Sequence, residues 1–434
     1  MMDIRARLRE WSVDRKLARN VASLYGVQFA SYLLPLITIP YLTRVLGPGT
    51  WGLVAFAQAF GAYASVGIEY GFSLSATREV AKNRDSMSEL ANLLAGVMGA
   101  KLLLAAGAVA LALLIEPWVP LFREHPIFLW SAVFWAVAQS FSMLWYYQGL
   151  ERMRLVAVLD VIGKALATAG IFILVRHPFD GWKVLGLQGA GSLLSVAIAT
   201  AIVYKEVPIR RPRWSLVRNA LRMGWSMFLY QSSMSLYGVG NSFILGLFAP
   251  PEAVGFYAAA EKIARALMGL LVPIHQSLYP RLSRLVQQDR HMANRLVKFS
   301  MVVMSSTGAV LSLAAFLGAP WIVPVVLGKS FSASIPVLRI MAPLPLLVAV
   351  STMLGILWML PLGLDRQFNK VVLAAGALNL ALAVVLDPRF AQLGMASALV
   401  ITEMFVVLTL YFALHRQGLN PLAARQDNEG RIAR

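Results

Sequence analysis

Apolar runs of about 20 residues recur along the whole chain, each bounded by charged residues, glycine or proline. That is the length a helix needs to cross roughly 30 Å of hydrocarbon. Twelve segments qualify, at 21–43, 51–75, 89–115, 127–148, 155–175, 184–204, 223–248, 253–279, 299–317, 335–360, 371–386 and 393–414. The shortest, 371–386, is brought within range by bilayer thinning or by extension to Phe368. The pattern predicts an all-α membrane protein of about twelve transmembrane helices.

Composition strengthens this reading. Of 434 residues, 58% are hydrophobic and 14% charged, and the mean hydropathy is +0.66. Soluble domains run near 45–50% apolar and 25% charged. The formal charge of +18 would suggest nucleic acid in a soluble protein, but in a membrane protein basic loops hold the cytoplasmic face and meet anionic lipid. No nucleic-acid partner is expected. With no cysteine in the sequence, disulfides, thiolate metal sites and cysteine nucleophiles are excluded. The first residues, MMDIRARLREWSVDRK, have no apolar core and no small-residue cleavage site, so a removable signal peptide is not expected.

Charge in the connections predicts the orientation. Segments on the side of the N-terminus hold 28 Lys and Arg, including Arg78, Arg152, Arg210, Arg284, Arg366 and Arg416, whereas the opposite side holds 6: Arg44, Arg123, Arg176, Lys183, Lys329 and Arg389. Both termini are therefore expected in the cytoplasm. All external connections are short, so no extracytoplasmic domain is expected. The largest internal one, 205–222 (KEVPIRRPRWSLVRNALR), mixes arginines with Trp214, Leu216, Val217 and Leu221 as an interfacial amphipathic helix does. It reads as a linker between an N-terminal bundle, 1–204, and a C-terminal bundle, 223–434, which ends in a short cytoplasmic tail.

A faint repeat relates the halves. LGPGTWGLVAFAQ (46–58) matches APPEAVGFYAAAE (249–261), sharing the proline at 48 and 251 and the glycine at 52 and 255. Six spans per half give both copies one orientation, hence a pseudo-twofold axis along the membrane normal. Repeats of this kind place transport sites at their interface.

Five blocks are more specific: LPLITIPYLTRVLGPGTWGLVAFAQAF (34–60), GFSLSATREVAKNRD (71–85), WYYQGLERM (145–153), VGFYAAAEKIARALMGLLVPIHQSLYPRLSRL (254–285) and LWMLPLGLDRQF (357–368). In this order they resemble the polysaccharide transporter family, the Wzx-type flippases of O-antigen and related repeat units, within the exporter superfamily that includes the multidrug and toxin extruders. Beyond about residue 370 the likeness is in hydropathy alone. The resemblance implies two six-helix bundles around a central cavity, open alternately to each side in the bacterial inner membrane. The implied substrate is an oligosaccharide on undecaprenyl pyrophosphate, moved to the periplasmic leaflet. A polysaccharide polymerase and a chain-length protein would be neighbours in that process. No cofactor and no catalytic residue are expected.

Ionisable residues inside spans are expensive, about 2.5–3.5 kcal/mol at the bilayer centre on insertion scales, and point to function by default. Lys101, Lys164, Arg265 and Glu403 lie near the middle of spans three, five, eight and twelve; Glu69, Asp160, Glu261 and Lys262 lie nearer an interface. Asp160 and Lys164 share a helix face, as do Glu261 and Arg265, so either pair can simply neutralise itself. Lys101 has no carboxylate at helical spacing; it is either a cavity residue open to an anionic headgroup or buried against Glu69 or Glu403. Arg44 and Arg339 sit beside prolines near span ends, where capping of carbonyls is the plain alternative. Cations suit a pyrophosphate, Arg bidentately and Lys as a point charge, making Lys101, Lys164, Lys262, Arg265, Arg44 and Arg339 the substrate candidates. Glu69, Asp160, Glu261 and Glu403 are the candidates for ion coupling. Gln58, Gln139, Tyr147, Gln231 and Asn241 are either a polar cavity rim or helix packing.

Two other functions compete. A drug or cation extruder on the same fold should line its cavity with acids, whereas the midspan charges here lean basic. A glycan polymerase needs a large outer loop or paired acids, and the loops are short.

Overall fold

Proline and glycine cut the apolar runs into the helices of the computed structural model. The backbone is described for residues 2–235, 238 and 240–421, and side chains from residue 36 onward apart from several between 230 and 239. The basic side chains of the N-terminal segment and the tail expected after 421 lie outside the described residues. The chain divides into two compact units, Met1–Ser235 and Leu236–Arg434.

In the first unit, α1 (Met2–Glu69) carries spans one and two, divided at Gly47, whose φ of 69° is left-handed. Tyr70 and Gly71, both at positive φ, break the helix again before α2 (Phe72–Lys82). Then come α3 (Met87–Ile115), the short α4 (Pro120–Glu124), α5 (Pro126–Ser140), α6 (Leu144–Gly149), α7 (Met153–Leu174), α8 (Gly181–Glu206) and α9 (Trp214–Ser235). Residues 207–213 of the expected linker are non-helical, and Trp214 opens α9, which packs on α3 and α2. The tightest crossing is that of α7 on α8. A Cβ on Gly163 would collide with the Gly191 carbonyl and Ser195, and one on Gly191 with the Gly163 carbonyl. Small residues let backbones approach where no hydrophobic effect drives helices together. There the Ser195 hydroxyl donates to the Leu159 carbonyl at 2.7 Å.

The second unit holds α10 (Asn241–Gly246), α11 (Pro251–Gly269), α12 (Val272–Gln288), α13 (Arg290–Val326), α14 (Ser334–Met341), α15 (Leu344–Leu354) with a π-helical turn over Gly355–Met359, and α16 (Asp365–Arg416). Ala391, at φ 46°, divides α16 into spans eleven and twelve. Asp289 caps α13 by accepting from the Met292 amide at 2.9 Å. The repeat has a structural counterpart: Pro48 follows the Gly47 break and Pro251 opens α11, each where the missing N–H is free of consequence.

Among the described residues, eight elements are long and apolar enough to cross a membrane. Span seven (α9 and α10) and span eight (α11 and α12) are absent from that set. The first is rich in serine and is divided between α9 and α10, and Glu261, Lys262 and Arg265 dilute the second. Counting these, and the two double elements α1 and α16, the fold is the expected twelve-helix, two-bundle membrane protein.

Candidate functional site

The intramembrane charges settle into local arrangements within each unit. In unit one, Lys164 Nζ lies 2.7 Å from Asp160 Oδ2 on α7, with both side chains more than 40% exposed. Lys101 is enclosed instead. It is 1% exposed, and its ammonium donates to the Ser140 carbonyl at 2.6 Å. That carbonyl ends α5, where the helix breaks before α6, so a lysine from α3 satisfies an orphan acceptor inside the membrane. Glu69, at the end of α1, is the carboxylate near enough to act on Lys101 electrostatically. Arg44 donates back to the Pro40 carbonyl at 2.9 Å.

In unit two, Arg265 Nη2 and Nε meet Glu261 Oε1 at 2.7 and 3.1 Å, and Nη2 also donates to the Gly238 carbonyl. Lys262 is one residue along and feels both charges. Arg339 lies over the Phe316 ring, 5.8 Å from its centroid. Glu403 is buried and accepts from the Ser351 hydroxyl at 2.6 Å.

The structure thus brings together Asp160 with Lys164 and Glu261 with Arg265, while Lys101 is held by the Ser140 carbonyl. Several polar candidates are engaged in helix packing: Gln58 with Gln188, Gln139 with Ser65, Gln231 with Ser73 and Tyr147 with the Ala199 carbonyl.

In a second set of buried polar groups, Asn241 was among the candidates from the sequence, whereas Asp387, Asn379 and Tyr257 were not. Asp387, Asn241 and Asn379 are each 1% exposed and Tyr257 is 0%. Both Asp387 oxygens, both polar atoms of the Asn241 side chain and the Tyr257 hydroxyl lack a hydrogen-bond partner among the described residues. Asp387 falls in the connection between spans eleven and twelve, where an acid ordinarily meets water. Its pairing with Pro388 at a helix break was the one available signal. Among the described residues no group of three or more His, Cys, Asp or Glu comes together to hold a metal ion.

A charged span eight broken at 270–271 and a buried lysine, Lys101, in a two-bundle helical membrane fold define a transporter-like class. Solved structures agree on the fold. The lipid II flippase MurJ, in an inward closed conformation, superposes with a TM-score of 0.67 at 14% identity, covering 90% of this chain and 87% of that one. An inward-facing multidrug resistance MATE family transporter of the MOP superfamily gives 0.64 at 16%, covering 90% and 96%. Two proteins named "Putative O-antigen transporter" are similar over nearly their whole length. The one from Escherichia coli (strain K12) is 35% identical over 392 residues, 90% of this chain and 94% of its own; the one from Shigella dysenteriae is 29% identical over 400 residues, 92% and 100%. Residues 17–286 match the family described as polysaccharide biosynthesis protein, and the chain belongs to that family.

Proposed function

We propose that the protein is a flippase for undecaprenyl-pyrophosphate-linked oligosaccharide repeat units, which it moves from the cytoplasmic to the periplasmic leaflet of the bacterial inner membrane by alternating access. Its product would feed O-antigen or another surface polysaccharide. The observation that carries the reading is the 35% identity with the Escherichia coli protein named "Putative O-antigen transporter", sustained over 94% of that protein. The basic lean of the midspan charges, Lys101, Lys164 and Arg265 against Glu403, supports it, because the substrate is a dianion or more. In this reading both termini are cytoplasmic, as the distribution of Lys and Arg favours.

Binding without reaction is the chemistry required. Arg265 offers a planar fork of donors and is already held by Glu261 for presentation, and Lys262 adds a point charge beside it. Lys164 plays the same part on α7, with Asp160 moderating its affinity so that substrate can be released. Arg44 and Arg339 are the peripheral cations. Lys101 acts at one remove, fixing the broken span four. Glu69, Asp160, Glu261 and Glu403 are the acids through which an ion gradient would be coupled. A polymerase and a chain-length protein would act on the delivered repeat units.

Deletion in the native host tests this. Undecaprenyl-linked repeat units should accumulate in the inner leaflet and return to normal on complementation. An unchanged lipid-linked pool together with altered sensitivity to cationic drugs would instead identify an extruder.

A further inference from the structure

Unit one contains a pocket of about 330 Å³ where the end of α2, the start of α3 and the first half of α9 meet. That volume lies within the range of small-ligand sites, roughly 300–1,000 Å³. The pocket exists because glycine lets α9 lie against α3. A Cβ on Gly96 would come 2.8 Å from the Leu216 carbonyl oxygen, and one on Gly99 would meet Pro212 and Val217 at 2.7 Å. Below this contact Leu93, Leu216 and Met223 form an apolar floor, and Glu79, Asn83, Glu89, Asn92 and Asn219 form a polar wall.

The wall is not an acidic trap. Lys82 Nζ is 3.0 Å and Arg78 Nε 3.7 Å from Glu79 Oε1. Glu89 stands in the first turn of α3, where the helix dipole offsets its charge. The Arg210 guanidinium donates to Asn92 Oδ1 at 2.7 Å, and Asn83 Nδ2 donates to the Glu79 carbonyl at 2.9 Å. What remains for a ligand is chiefly carboxamide capacity: the Asn92 amino group, the Asn83 oxygen and all of Asn219, which has no partner among the described residues. A carboxamide offers acceptor and donor side by side, matched to neighbouring hydroxyls. The apolar floor matches the C–H face of a sugar ring. A phosphate would meet two carboxylates here, and a cation would find both already compensated. A neutral, hydroxyl-rich ligand fits best.

We propose that this pocket is a sugar-binding subsite that receives the glycan of the substrate at the aqueous, cytoplasmic end of unit one before transport. This rests on the glycan-flippase reading above. The intramembrane ion pairs take no part in it, so the headgroup phosphates and the glycan would be recognised by separate residues.

The test uses the full-length protein in nanodiscs, with oligosaccharides released by mild acid from the host's own undecaprenyl-linked repeat units as the soluble probe. Asn219→Ala removes a carboxamide that supports nothing in the fold, and Asn219→Trp fills the pocket; unchanged melting of each variant establishes that it is folded. Expected results are saturable binding to the wild type, about tenfold weaker binding to N219A, none to N219W, and slower transport at limiting substrate in the same order. The proposal is overturned if the wild type does not bind the probe, if all three proteins bind it equally, or if a basic peptide displaces it at concentrations where neutral sugars do not. Retained binding by a wild type that fails to transport lipid-linked repeat units overturns the flippase reading and leaves the pocket standing.

Discussion

Arg265 can be tested for structure and function at once. Its guanidinium makes two contacts with one oxygen of Glu261, at 2.7 and 3.1 Å, and a third with the Gly238 carbonyl. The Glu261 side chain is 13% exposed and that of Arg265 47%. Breaking a fully buried pair costs about 3–5 kcal/mol, whereas an exposed pair is worth about 0.2–1 kcal/mol. With one partner buried and one half-exposed, Arg265→Gln should destabilise by about 2 kcal/mol, chiefly by leaving Glu261 alone. Glu261→Gln should destabilise by less, because Arg265 keeps the Gly238 carbonyl and is half-exposed. The double variant should recover about 1–2 kcal/mol relative to the sum of the single changes, the coupling expected for residues in contact. Chemical unfolding in detergent measures the cycle, and transport of lipid-linked repeat units is followed in the same four proteins. If Arg265 binds the pyrophosphate, the double variant regains stability but not transport. A coupling below about 0.3 kcal/mol, which is the scatter expected of independent sites, would refute the ion-pair argument. Transport recovering in step with stability would remove Arg265 from the substrate site.

Three further outcomes follow from the packing. Gly163→Ala places a methyl 3.0 Å from the Gly191 carbonyl carbon, inside the usual contact of about 3.5–4 Å, and should cost about 1–3 kcal/mol; Gly107→Ala, with open space around it, should be neutral or stabilising in the same thermal melts, and equal effects would defeat the account of the α7 and α8 crossing. Asp180, in the turn before α8, is held down to about 2 by its hydrogen bond to Lys183 and by the amides of Arg176 and His177. Its contribution is therefore complete above about pH 4 and lost as pH falls through about 2, so the melting difference between wild type and Asp180→Asn should be constant from pH 7 to 5 and shrink steadily below 4. Asp387→Asn exchanges a buried carboxylate lacking a hydrogen-bond partner among the described residues for a neutral group of the same shape, and should raise the melting temperature at pH 7; a lowered one would show that the acid is tied into the fold.

Hydropathy revealed the spans, because each must present about 20 apolar residues whatever its neighbours are. Even the kinks at Gly47 and before Pro251 carried their own residue chemistry. The interruptions of span four at residues 141–143 and of span ten at its π turn left no such trace. A broken helix is tolerated in lipid only when another element satisfies its backbone, and that element is distant in sequence: Lys101 is 39 residues from Ser140. For the charged candidates, i,i+4 spacing exposed the Asp160–Lys164 and Glu261–Arg265 contacts. The partner of Lys101 and the enclosure of Asp387 depend on which helix faces which, and a one-dimensional pattern contains no information on that.

The lysine that closes off α5 also imposes an order of events on biogenesis. Helix α3 enters the membrane ahead of α5, so Lys101 arrives without the carbonyl it will hold. Meanwhile its penalty of about 2.5–3.5 kcal/mol must be carried by the rest of α3, a 29-residue helix made largely of leucine, alanine, valine and glycine. The surplus of leucine and alanine on α3 is thus a reserve against a delay, and each substitution that depletes it makes insertion of the third span depend more heavily on how soon the fifth helix follows.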